Sequence, residues 1–350
     1  MPIEYQGVVV EHGAVRSAVG IFDVSHMGKV RIHGSGAVDA LNAVLANDLG
    51  RIGDGQAQYT LLCNADGGVI DDLIVYRWSD DEIFLVPNAA NASTVVEVLR
   101  SALPEAISVD DHHHDHGIIA VQGPRSAEAV AALGLPVDHG YMTMVAATYA
   151  GSPVIVCRTG YTGEHGYELV LPTAVLGPAW DALIGLESSL GLMPAGLGAR
   201  DTLRTEMGYP LHGQDLSASI SPVQAGLSWA VGWDKPSFAG REALTDERAT
   251  GPVRRLRGLL AKDRGIPRPH MSVHQGPLVV HEADSTAGSL GAPVGEVTSG
   301  TFSPTLRQGI ALALLDPSIQ VGDEVIVDLR GRGVPFEVVT PPFVSPSTRA

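Results

Sequence analysis

Asn64-Ala-Asp-Gly-Gly-Val-Ile-Asp-Asp-Leu-Ile-Val-Tyr76 sets a turn directly against a strand, and that strand carries two adjacent carboxylates in an apolar run. The first five residues are turn chemistry: Asn and Asp side chains bond nearby backbone, and Gly admits positive φ. Residues 69–78 are rich in β-branched and aromatic side chains and read as a strand. Strict alternation puts Ile70, Asp72, Ile74 and Tyr76 on one face and Val69, Asp71, Leu73 and Val75 on the other. Each carboxylate then has apolar neighbours, and burying an unpartnered charge is costly. Either one carboxylate is held to bond with, or take a proton from, a ligand, or the pair bonds to turn backbone or caps a bulge.

Outward from this stretch the pattern is α+β. Residues 58–63 form a strand before the turn, Ser79-Asp-Asp-Glu82 is a second turn, and 83–86 a third strand. Residues 92–103 read as a helix, with Val95, Val96 and Leu99 at helical spacing and Pro104 beyond. A strand at 117–121 precedes the turn Gln122-Gly-Pro124, and 126–133 reads as helical. Arg158-Thr-Gly-Tyr-Thr-Gly163 lies between two strands and lacks the phosphate-loop pattern, so a tight hairpin is the expectation. Pro194-Ala-Gly-Leu-Gly198 opens a helix running to Met207, with Gly208 as its stop; Arg200 and Arg204 share one face of it. From Gly251 onward short strands with frequent Gly and Pro fit a small antiparallel barrel or sandwich, with a domain boundary near residue 245.

Bulk properties narrow the function. The chain has 350 residues, 45% hydrophobic and 18% charged, in the range of a globular protein of two or three domains. No apolar run reaches the length of a membrane span, and the first residues lack a secretory pattern, so a cytoplasmic protein is expected. Net charge is −16, which argues against nucleic acid. Lys29, Lys235 and Lys262 are the only lysines, so any anionic ligand meets specific arginines. Cys63 and Cys157 read as buried thiols. The run Asp110-Asp-His-His-His-Asp-His116 invites a metal reading, but consecutive loop residues seldom converge on one ion; a solvated turn is expected, with no metal. Ser25 and His26, being adjacent, point apart and make a poor nucleophile–base pair.

With these segments laid out, the chain resembles the T-protein family of the glycine cleavage system over nearly its whole length. The matching blocks include Phe22-Asp-Val-Ser-His-Met-Gly28, the Asn64–Val75 stretch, Val121-Gln-Gly-Pro124, Arg158-Thr-Gly-Tyr-Thr-Gly-Glu164 and Pro194-Ala-Gly-Leu-Gly-Ala-Arg-Asp201. Gly226-Leu-Ser-Trp229, Gly240-Arg-Glu-Ala-Leu244, Gly265-Ile-Pro-Arg268, Gly295-Glu-Val-Thr-Ser-Gly300, Phe302-Ser-Pro-Thr-Leu306 and Pro342-Phe-Val344 follow in order. Each block alone is weak; their order carries the resemblance.

The resemblance implies a three-lobed fold around a central folate channel: an α+β lobe from 1–30 and 117–245, a second from 31–116, and a C-terminal antiparallel β-barrel lobe from 246–350. It implies a tetrahydrofolate-dependent aminomethyltransferase that releases ammonia from an aminomethylated, lipoylated carrier (H) protein and forms 5,10-methylenetetrahydrofolate. Asp72 matches the catalytic carboxylate; Glu168 and Arg200 match folate-binding positions; Met27, Tyr59, Tyr76, Asn88 and Tyr161 match pocket-lining ones. Glu168 suits adjacent N–H groups of a pterin, the tyrosines suit aromatic walls, and a guanidinium such as Arg200 suits the anionic tail. Departures are a start at Met1-Pro-Ile-Glu-Tyr5, which implies a shortened chain or late start codon and a lobe lacking its first element; the His-rich run; and the tail Ser345-Pro-Ser-Thr-Arg-Ala350.

Fold likeness does not fix the donor. A folate-dependent demethylase of a methylated amine or sulfonium on the same fold is the alternative. A non-catalytic folate-binding protein of iron–sulfur assembly would carry a Lys-Gly-Cys segment, which is absent here. A zinc hydrolase built on the His-rich run is the remaining class.

Overall fold

The computed structural model describes residues 2–276 and 290–348. Met1 and Arg349-Ala350, the first residue and the last two of the tail named above, lie outside them. Three β-structures organise the chain. The first sheet runs in the order Leu192–Pro194, Val19–Asp23, His116–Gln122, Gly166–Pro172, Ser152–Cys157, Met144–Tyr149, antiparallel except for its first pair. The second is antiparallel throughout: Ala57–Cys63, Val69–Ser79, Glu82–Val86, Val30–His33, Ser108–Asp111. Six antiparallel strands between Arg255 and Val339 close the barrel. The mixed α+β architecture with a C-terminal barrel is thus present. The chain enters the barrel at Arg255; residue 245 lies inside the helix Arg241–Thr250, whose Leu244 packs with Leu61 and Val69 of the second sheet.

Alternation assigns the faces. Ile21, Ile119, Val121, Leu169 and Leu171 pack under the helices Ser126–Ala132 and Thr173–Ile184, while Phe22, Ile118, Ala120 and Val170 point the other way. Leu73 and Val75 pack with the helices Ala37–Asn42 and Ala92–Ala102; Ile74 and Tyr76 face inward. The two inward faces meet, with Ala199 and Leu203 of the helix Leu197–Glu206, in one shared layer.

The expected face assignment needs one correction. A bulge between Leu62 and Cys63 pairs Cys63 with Val69 and Leu62 with Asp71. An extra residue on one strand reverses alternation across it. Val69 therefore packs on the inward side with Leu61 and Cys63, and Ile70 on the outward side with Leu62 and Leu73. Asp71 and Asp72 keep their opposite faces. The turn before them is built as its residues suggest: Asn64 Oδ1 accepts from the N–H of Asp66 (3.0 Å) and Gly68 (2.9 Å), and Gly67 has φ +83°. A side chain on Gly68 would begin 1.9 Å from the Ala218 carbonyl, so glycine is required there.

Two buried polar clusters tie the helix Leu197–Glu206 to the barrel. Arg204, 2% exposed, donates to Asp201 (2.6 Å), Asp215 (2.9 Å) and Ser299 (2.9 Å); Asp215 also accepts from Thr298 (2.5 Å) and the Leu211 N–H (2.9 Å). Glu206 accepts from Arg16 (2.7 Å), Ser303 (2.5 Å) and Thr305 (3.0 Å) and faces His12 at 3.3 Å. Burial opposes its charge, but His12, Ser303 and Arg16 outweigh it and hold the carboxyl down at about 2. Removing one member of a buried pair strands the other. Asp215→Ala should lower stability by about 3–5 kcal/mol in denaturant unfolding; a loss under about 1 kcal/mol would show that the cluster does not hold barrel to lobe.

Candidate functional site

Asp72 lies on the inward face of the second sheet, beside Tyr59 of the neighbouring strand. The Tyr59 hydroxyl donates to Asp72 Oδ2 (2.9 Å), and Asn88 Nδ2 lies 2.9 Å from Asp72 Oδ1, 2.8 Å from the Asp72 carbonyl and 2.9 Å from Asp71 Oδ1. Asp71, fully buried, accepts from the Asn88 N–H (2.9 Å) and Asn91 Nδ2 (2.7 Å). His212 backs this group: one ring nitrogen faces the Val69 carbonyl (3.0 Å) and must donate, leaving the other to accept from Asn91 (3.0 Å). Burial, and then the charge of Asp71, push the Asp72 carboxyl up to about 6; the Tyr59 and His212 contributions pull the other way. Burial raises Asp71 as well, against its bonds from Asn91 and Asn88. The pair is thus bonded on both faces, with Asp72 the member whose side chain enters the shared layer.

Across that layer, Glu168 sits on the strand Gly166–Pro172, opposite Cys157 and Ala120 in register, on the same face as Val170. Thr159 Oγ1 donates to Glu168 Oε2 (2.6 Å) and so accepts from the Tyr76 hydroxyl (2.9 Å), which links the two sheets. Arg200 lies with its guanidinium 4.7 Å from the centre of the Tyr161 ring, in range of the Glu168 charge; burial lowers its pKa. Among the described residues the Arg200 guanidinium makes no hydrogen bond or ion pair within the chain. Tyr161 donates to the Pro210 carbonyl and stacks on Tyr209 at 5.7 Å; both Asp72 and Arg200 act on its hydroxyl. Met27 packs at the edge of the same layer. Asp72, Tyr59, Tyr76, Asn88, Tyr161, Glu168, Arg200 and Met27 therefore gather around one region, from elements far apart in sequence.

Several further residues join them. Thr159 bridges Tyr76 to Glu168, and Asn91 and His212 buttress Asp71. Trp229, 63% exposed, stacks on Tyr59 at 5.6 Å and 26°. An exposed tryptophan within a short Gly-Leu-Ser-Trp block was the available sequence signal for it; His212 had none, being remote from Asp71 in the chain. His26 has a buried Nδ1 without a hydrogen-bond partner, and burial and the Arg200 charge lower its pKa. Ser25 turns away, accepting from the Ile118 N–H (3.1 Å). His112 pairs with Asp115 (3.1 Å) in a turn, and among the described residues no three His, Cys, Asp or Glu side chains form a metal-holding group. Cys63 and Cys157 are free, buried thiols. Among the described residues no helix is long and apolar enough to cross a membrane.

Comparisons with known proteins agree with this architecture. Residues 1–235 match the GCVT N-terminal domain family, and residues 254–345 the glycine cleavage T-protein C-terminal barrel domain. The chain is 61% identical to an aminomethyltransferase of Frankia alni, covering 99% of this chain and 92% of that one. It is 59% identical to one of Parafrankia sp., covering 100% and 93%. The crystal structure of glycine cleavage system aminomethyltransferase T from Bartonella henselae superposes with a TM-score of 0.89 at 32% identity, covering 99% of this chain and 92% of that one. The chain belongs to the glycine cleavage T-protein family.

Proposed function

We infer that this chain takes an aminomethyl group from the lipoyl sulfur of a carrier (H) protein, passes its carbon to tetrahydrofolate and releases ammonia. Family membership over the full chain and the aminomethyltransferase name of its relatives support the activity, and favour it over demethylation of an amine or sulfonium. The observation that carries the site is Asp72: a carboxylate with a raised pKa, gripped by Tyr59 and Asn88, on the face the two sheets share. In the transfer, the donor's carbon–sulfur and carbon–nitrogen bonds break and two carbon–nitrogen bonds form. The protons released from the accepting nitrogens go to the lipoyl sulfur and the departing amine, with no net oxidation. When bound, tetrahydrofolate supplies those two nitrogens and leaves as 5,10-methylenetetrahydrofolate.

The chain's residues fit such a ligand. Glu168, oriented by Thr159, presents an acceptor for adjacent ring N–H groups. Arg200, expected from the sequence to meet the anionic tail, instead lies in range of the Glu168 charge with its donors unspent, which suits acceptors on the same polar ring edge. Tyr161, Tyr76 and Met27 supply apolar walls. Ionised Asp72 stabilises positive charge as it develops on the transferred carbon; Tyr59 and Asn88 fix it before reaction, so little reorganisation is needed. The direct test is ammonia release from an aminomethylated carrier with and without tetrahydrofolate: folate-dependent release supports this reading, and turnover of a methylated amine or sulfonium with none from the carrier contradicts it.

Asp72→Asn should lower kcat by about 10²–10³-fold while tetrahydrofolate affinity stays within a few-fold; full activity at unchanged affinity would remove Asp72 from the chemistry. Because the active form is ionised and its pKa stands at about 6, activity should fall as pH drops through 6. Asp71→Asn removes a like charge, so in a pH–rate profile that acid limb should move to lower pH. A limb that stays in place in Asp71→Asn, or persists in Asp72→Asn, would assign it to another group.

A further inference from the structure

We propose that Lys235 is a positioning residue for the transfer: it secures the edge of the strand that carries Tyr59, and so holds the Tyr59 hydroxyl on Asp72. This rests on the role given to Asp72 above. Tyr59 belongs to Ala57–Cys63, the edge strand of the second sheet, and pairs with Ile74 on its inner side. Beyond it no further strand follows, and the free backbone groups of an edge need other partners. Residues 46–48 supply them. The Ala46 N–H donates to the Leu61 carbonyl (2.8 Å), Asn47 Nδ2 to the Tyr59 carbonyl (2.8 Å) and the Asn47 N–H to the Thr60 hydroxyl (3.1 Å). In return Gln58 Nε2 donates to the Asp48 carbonyl (2.9 Å).

Lys235 holds that segment in place. Its side chain is 6% exposed, and Nζ donates to the carbonyls of Leu45 (2.5 Å) and Asn47 (2.9 Å). Among the described residues the ammonium forms no ion pair; Asp48 faces Arg51 instead, at 3.8 Å. Burial pushes Lys235 down to about 8, with Asp48 opposing and Arg51 adding to the shift, so the group is still a cation at neutral pH. Burying a cation without a counter-ion is costly. An apolar side chain of the same length would fill the space at less cost, but could not hold two carbonyls. The space itself is kept by Gly232, where a side chain would begin 2.6 Å from Lys235 Cδ and 3.1 Å from the Asp48 nitrogen.

The segment that ends in Lys235 grips Tyr59 at a second point. Trp229 stacks on the Tyr59 ring at 5.6 Å, the Gly232 N–H donates to the Ala46 carbonyl (2.8 Å), and the Lys235 N–H to the Gly232 carbonyl (3.0 Å). Backbone and ring of Tyr59 are therefore both set from residues 229–235, and the hydroxyl that results donates to Asp72 Oδ2 at 2.9 Å. The charges acting on Lys235 are those of Asp48 and Arg51, whereas Asp72 answers to Asp71, Tyr59 and His212. The two sets share no member, so Lys235 acts on Asp72 through position and not through charge. Because the Tyr59 bond favours the ionised carboxyl, loosening it leaves Asp72 holding its proton to higher pH.

The test follows the Asp72 carboxyl by carbon-13 NMR of the aspartate-labelled full chain, assigned by its loss in Asp72→Asn, beside the pH–rate profile. Lys235→Met keeps the stem and removes the donors. It should move the carboxyl titration and the acid limb to higher pH, as Tyr59→Phe does, and lower kcat roughly ten-fold. The double variant Tyr59→Phe/Lys235→Met should titrate as Tyr59→Phe alone. Asn47→Ala, which leaves Lys235 in place and cuts the bond to the Tyr59 carbonyl, should give the same shift and decides the matter if Lys235→Met does not fold. Asp215→Ala, which loosens the molecule elsewhere, should leave the titration where it is. An unchanged titration in Lys235→Met or Asn47→Ala, or a shift that adds to that of Tyr59→Phe, would overturn the proposal. An equal shift in Asp215→Ala would mark general loosening and overturn it too. Absence of folate-dependent ammonia release from the wild type would count against the function proposed above, while the carboxyl titration still decides the role of Lys235.

Discussion

Placing two adjacent carboxylates in the middle of a buried strand is the constraint from which the rest of the site follows. A strand sends neighbours to opposite faces, so Asp71 and Asp72 draw on different partners apart from Asn88. Asp71 is satisfied on its side by Asn88, Asn91 and, through Asn91, His212. Asp72 is left with Tyr59 and Asn88, on the face where two sheets meet. Asn88 touches both carboxylates, which couples the anchored one to the one available for chemistry. The like charge so close behind, added to burial, is why Asp72 holds its proton more tightly than an ordinary aspartate.

The same logic extends across the layer. Glu168 is held by Thr159, and Thr159 by Tyr76, which belongs to the strand of Asp72. A chain of two hydroxyls therefore ties the strand of Asp72 to the Glu168 carboxylate. The helix Leu197–Glu206 closes the arrangement: Leu203 enters the shared layer, Arg200 lies on Tyr161, and Arg204 and Glu206 lock into the barrel. Rigid support of this kind is what electrostatic stabilisation requires, because groups that must reorganise during reaction lose much of their effect.

Much of this was legible in the sequence. Residues 58–63, 69–78 and 83–86 are rich in apolar, β-branched and aromatic side chains bounded by turn residues, and the observed strands match them within a residue or two at their ends. The helix begun by Pro194-Ala-Gly-Leu-Gly198 ends where Gly208 suggests. The bulge opposite Ile70 was not legible, because it depends on how the turn register is pulled by the Ala218 and Ser217–Ile220 backbone from another region. Arg200 and Arg204 do share a helix face, yet one meets an aromatic ring and the other a buried aspartate; spacing gives the face and not the partner. The roles of His212 and Thr159 were invisible for the same reason, and for Trp229 only its motif block could be read. Their roles exist only once distant segments are brought together.

The most direct measurement is diffraction from crystals of this protein soaked in tetrahydrofolate at a pH above 7. The account expects the reacting nitrogens within hydrogen-bond reach of the Asp72 carboxylate and the pterin edge against Glu168 and Arg200. A folate bound elsewhere, with Asp72 still facing only Tyr59 and Asn88, would contradict it.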